Sequence, residues 1–181
     1  MSAPSATPGD KPVRYYGKYQ GTVINNIDPL MTGRVMVQVP DVLGMTPGSW
    51  ALPCVPAAGI QAGMFIVPPI ASQVWVEFAQ GDPDYPIWTG GFWGTAGQIP
   101  VLATAPPPIP PGQNILLQTT GQSTLLLSDS APTPATGGIM LKSGASMIIV
   151  NATGIYITNG AASITLVGPA VTVNLGALVV T

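Results

Sequence analysis

The residues able to do chemistry are few, and three of the acids among them stand together. Glu77, Asp82 and Asp84 lie in or beside "AQGDPDYP" (79–86), in a chain with only seven Asp and Glu and five Lys and Arg. Paired carboxylates are the signature of acid–base hydrolysis when a cleft holds them roughly 5–9.5 Å apart. The spacing here reads differently. Gly81 supplies a permissive backbone angle, Pro83 and Pro86 fix theirs, and Asp82 and Asp84 are placed to accept turn N–H groups. A turn is therefore the first reading, and a contact with a partner the second. The chain has no histidine, which removes the usual general base and every Ser-His or Cys-His arrangement. Cys54 stands alone, so it forms no internal disulfide and, without an activating base, reads as a small buried residue. No enzymatic activity, cofactor or metal site is expected.

The remaining chemistry-bearing residues point the same way. Arg34 and Asp41 flank a strand and are placed to pair with each other, with a partner, or with water. Trp50, Trp75, Trp88 and Trp93 suit either a stacking platform for bases and sugars or a barrel core and subunit contact. Five Lys and Arg in 181 residues cannot track a phosphate backbone, which argues against nucleic acid. Beyond Tyr85 just two charged residues remain, Asp129 and Lys142, each read as an exposed turn or an intersubunit pair.

The elements that must carry these residues are strands. Charged residues make up 7% and hydrophobic ones 46%, with 22 Gly and 21 Pro. Yet no apolar run reaches the roughly 18 residues of a spanning helix, and no apolar leader opens the chain. Residues 1–14 read as a flexible arm. From Tyr15 to Gly94 short strands alternate with turns: "RVMVQV" puts Val35, Val37 and Val39 on one face, and "SQVWVEF" does the same with Val74, Val76 and Phe78. "SWALPCVPA" reads as an edge or bent strand, and "MFIVPPI" as another short apolar one. Five or six such strands imply a small antiparallel barrel. Residues 95–113 form a Pro-rich, stiff connector.

From Asn114 the pattern changes to short alternating strands punctuated by glycines at 144, 154, 160, 168 and 176. Strands at a near-fixed period imply a repetitive β structure. Ile155, Ile157, Ile164, Leu166, Val171 and Val173 fall on one side as an inward core. Thr158, Ser163, Thr165, Thr172 and Asn174 fall on the other. One copy of so thin a ribbon cannot bury its apolar face; three copies around one axis can.

Two blocks carry a resemblance. "YYGKYQGTVINNIDPLMTGRVMVQVPDV" and "PPIASQVWVEFAQGDPDYPIWTGGFWG" resemble the opening and closing of the OB-fold domain of phage baseplate assembly protein V and the related VgrG spikes. The match covers residues 15–94. More loosely, residues 114–181 resemble the intertwined triple-stranded β-helix of such spikes. The resemblance implies an all-β chain with a five-stranded OB barrel and a trimeric β-helix. It implies a homotrimeric central spike, assembled in the cytoplasm into a phage tail or injection particle baseplate. Such a spike docks on a hub protein and touches the target membrane as the sheath contracts. Arg34, Asp41, Asp82, Asp84 and Trp88 become candidate hub or intersubunit contacts. Some relatives end in a histidine motif that binds iron, which this chain cannot form. Leu178, Val179 and Val180 become a candidate contact for a PAAR-type tip cap. The competing reading is an OB-fold binding module on a β-stalk that recognises a glycan or another surface ligand.

Overall fold

The computed structural model describes residues 12–104, 114–129 and 137–180, apart from the side chain of Val179. Most of the arm (1–14) and residues 105–113 of the connector lie outside the described residues. The chain divides into two units between Gly94 and Thr95. Among the described residues, no helix is long and apolar enough to cross a membrane.

The first unit holds β1 (Tyr19–Asn25), β2 (Val35–Gln38), a one-turn helix α1 (Pro40–Leu43), β3 (Pro47–Pro53), β4 (Ala58–Gly59), β5 (Ala62–Gly63), β6 (Gln73–Phe78) and β7 (Pro86–Phe92). Five of these strands close a barrel in the order β1-β2-β3-β7-β6. The barrel is antiparallel except where β3 runs parallel to β7, the arrangement of an OB-fold. Alternation dictates its core. Val35, Val37, Val39, Val74 and Val76 are fully buried, with Val23, Ala51, Phe78 and Trp88 completing the cluster. Gly21 is required by close approach rather than by backbone angle: a Cβ there would stand 2.8 Å from Val76 Cγ2.

Two expectations fail here. Of the two readings of "SWALPCVPA" the edge fails: it supplies a strand paired on both sides, with β2 and with β7, because Pro53 falls at the strand end, and its ladder with β2 is irregular between Met36 and Gln38. "MFIVPPI" contains no strand. Its paired prolines remove ladder donors, and Met64, Phe65 and Ile66 are exposed.

The second unit opens with a 3-10 turn (Ala96–Gln98) and a short helix α2 (Val101–Thr104). Then follow β8 (Asn114–Gln118), β9 (Thr124–Ser128), β10 (Gly138–Ser143), β11 (Ser146–Asn151), β12 (Gly154–Thr158), β13 (Ser163–Val167), β14 (Ala170–Val173) and β15 (Leu178–Val180). They form one eight-stranded sheet in strict chain order. Every strand is antiparallel to its predecessor. The interwound helix expected from the repeats is thus, within one chain, a meander.

Candidate functional site

The acidic cluster is a turn. Gly81 has φ 76°, and its carbonyl accepts the Tyr15 N–H at 2.8 Å. The Asp84 N–H donates to Asp82 Oδ1 at 3.1 Å, and Asp82 pairs with Arg14 at 2.9 Å. The cluster therefore fastens the segment entering the barrel. Glu77 is held by Lys18 at 2.9 Å. Asp41 makes no ion pair among the described residues.

Arg34 does not meet Asp41. It takes Asp28, a residue that sequence reasoning passed over. Arg34 Nε and Nη2 donate to Asp28 Oδ1 at 3.0 and 2.7 Å, and the guanidinium lies 5.5 Å from the Trp50 ring centroid. Asp28 also accepts the N–H groups of Leu30, Thr32 and Arg34 and the Thr32 hydroxyl. Its side chain is only 4% exposed. The Arg34 guanidinium, opposed by burial and helped by the Leu30 and Thr32 donors, holds this carboxyl well below the usual carboxylate range. The signal was the Asp-Pro turn itself: an Asx residue organising the loop before β2.

Two further expectations are corrected. Trp88 is no surface contact. It lies in the barrel core at 6% exposure, and its Nε1 donates to the Gly33 carbonyl. Cys54 is exposed rather than buried, although its N–H still donates to the Trp88 carbonyl of β7 at 2.9 Å. The tryptophans are engaged separately: Trp50 under Arg34, Trp75 against Phe92 with centroids 4.7 Å apart, Trp88 inside, and Trp93 exposed. The barrel does expose apolar loop residues. Ile27, Leu30 and Met31 flank the Asp28 turn, and Ile60, Phe65 and Ile66 belong to the loop between β3 and β6.

The largest feature is one face of the sheet. Opposite residues in an antiparallel pair share a face, so the register can be followed strand by strand. Ile115 and Leu117 face Leu127 and Leu125. These face Ile139 and Leu141, which face Val150 and Ile148, then Ile155 and Ile157. The row continues through Leu166 and Ile164 to Val171 and Val173, ending at Val180 and Leu178. All six expected core residues lie on this face. So do Leu178 and Val180, expected only at a tip. Yet many of these side chains are left open: Ile115 is 64% exposed, Leu141 48%, Ile164 40% and Val180 58%.

The other face differs. Leu126, Met140 and Ile149 are buried there with Leu116, Met147 and Tyr156 against them, covered by Leu102 of α2. Beyond them it is mostly small and polar, Val167 excepted, with the Thr165 and Thr172 hydroxyls hydrogen-bonded to each other. The chain therefore packs α2 on part of one face and leaves the predominantly apolar one open.

Two protein families match parts of the chain. Residues 19–93 match the Type VI secretion system/phage-baseplate injector OB domain. Residues 114–179 match the phage baseplate V C-terminal trimerisation domain. No curated protein matches it.

Proposed function

The chain belongs to the phage baseplate V family, carrying both its OB and its trimerisation domain, and from that premise we propose that it is the homotrimeric central spike of a contractile phage tail or related injection machine. The trimer docks on the baseplate hub and pierces the target envelope when the sheath contracts. The observation that carries this reading is the unbroken apolar face from Ile115 to Val180 on the sheet of the trimerisation domain.

No chemical step is required of the protein; contraction supplies the work. What it must provide is a narrow, stiff rod. Close-packed apolar side chains on a threefold axis give stiffness, and a shaft with two charged residues in its last ninety or so lowers the cost of meeting a bilayer. Hub contact falls to the barrel. Asp82 is engaged with Arg14, Arg34 with Asp28, and Trp88 is interior, so Asp41, Asp84 and the exposed Leu30, Met31, Ile60 and Phe65 offer the better surface. Leu178 and Val180, at the end of the sheet, are where a PAAR-type cap would sit.

Two measurements test the reading. Light scattering of the purified protein should give three times the 18.5 kDa chain mass. In intact particles, a gold label on the last residues should appear on the tail axis at the distal tip. A label along the tube or absent from the particle would refute the spike assignment.

A further inference from the structure

We propose that each chain of the trimer contributes one whole side of a three-sided prism, with its apolar face turned to the axis, rather than winding around the others. The proposal rests on the trimeric reading above and names its arrangement.

Connectivity carries the argument. In an interwound prism each strand is followed by one on the next side, so consecutive strands of a chain are not hydrogen-bonded to each other. Here all seven consecutive pairs, from β8–β9 to β14–β15, are paired. The connections explain why. Just two residues join β10 to β11, β11 to β12, and β13 to β14. A two-residue antiparallel connection reverses the chain on the spot. It cannot carry the chain around a corner to another side.

Size agrees. Strands of five residues, such as β12 and β13, span about 17 Å. An equilateral triangle of that side places each wall about 5 Å from its axis. Packed sheets stand about 10 Å apart, so each wall lies about 5 Å from their common midplane. Three such walls thus enclose one layer of side chains, with no room for water and no overlap. At about 4.8 Å per strand, eight strands give a prism side about 34–38 Å long. A hydrogen-bonded ladder then runs along the axis inside each chain, and chains meet only through side chains on the axis and at the corners.

Cysteine pairs across adjacent strands distinguish the arrangements. Thr158 and Ser163 are opposite each other on β12 and β13, on the outer face. They are replaced as Thr158→Cys with Ser163→Cys in a chain carrying Cys54→Ala. A second pair, Thr165→Cys with Thr172→Cys, uses positions whose hydroxyl oxygens are 2.5 Å apart. The oxidised protein is weighed natively, then boiled and run without reductant. The proposal expects a three-chain native mass, one-chain bands on the gel, and no free thiol. A three-chain native mass with two- and three-chain covalent bands would overturn the arrangement while leaving the trimer. Free thiols in both variants would overturn the strand pairing and the proposal with it. A one- or two-chain native mass would overturn the trimeric reading itself.

Discussion

Leu166→Asp and Val167→Asp place the same charge on adjacent residues of one strand, on opposite faces of the sheet. In the single chain the two sites are similarly open, Leu166 at 37% and Val167 at 46% exposure. A monomer would therefore tolerate them about equally. In the prism Leu166 points to the axis and Val167 to water. Full burial of a leucine is worth about 1.5–3 kcal/mol, so the share still open in one chain is worth about 0.6–1 kcal/mol, or about 2–3 per trimer. Each buried aspartate, even if it takes up a proton, adds about 1–3 kcal/mol for an unpaired polar group. Together the loss is at least about 5 kcal/mol per trimer, more than three powers of ten in the association constant. Leu166→Asp should dissociate at micromolar concentration in sedimentation velocity, with its strand content retained by circular dichroism. Val167→Asp should sediment as the parent does. Equal behaviour of the two variants, both trimeric or both dissociated, would refute the assignment of faces.

Two further outcomes concern the barrel. Asp28 has a folded-state pKa held below its ordinary value of 3.8, chiefly by Arg34, so its contribution is complete above that value and is lost as pH falls through the depressed one. Asp28→Asn should lower stability at neutral pH and flatten its decline below pH about 4, followed by urea unfolding with tryptophan fluorescence; an unchanged pH profile would count against the pairing. Gly21→Ala should destabilise by about 1–3 kcal/mol through overpacking against Val76, and Val76→Ala added to it should cost less than the two changes summed, as a double-mutant cycle in the same assay would show.

The sequence revealed the barrel where alternation was clean. Val35, Val37 and Val39 recur at every second position among Arg34, Met36 and Gln38, so parity placed them inside. The same rule found the inward face in β12 to β14, where Ile157 and Ile164 alternate with Thr158 and Thr165. It missed that face in β8 to β11. "NILLQ" and "TLLLS" are apolar at consecutive positions: Leu102 of α2 packs on one side of the sheet there, the proposed trimer would cover the other, and a strand apolar on both faces shows no period of two. Asp28 was missed for another reason. Its six donors come from its own turn and from Arg34, and nothing in a one-dimensional count of charges shows that one carboxylate will gather them. Trp88 was misplaced because tryptophan is apolar enough for a core and polar enough for a surface, and only the Gly33 carbonyl near its Nε1 decides.

The two-residue connections of the sheet also bear on how the molecule is made. When every strand pairs with its predecessor, contacts are local, and folding that relies on local contacts is fast. Each wall can zip together as the chain leaves the ribosome, before another copy is near. Assembly is then the docking of three finished walls, a step whose rate rises with concentration. Until it happens, each wall presents to water the side meant for the axis, and such surface invites wrong partners. The interval between synthesis and assembly is therefore the vulnerable period in the life of this chain, and copies produced close together in space and time would shorten it.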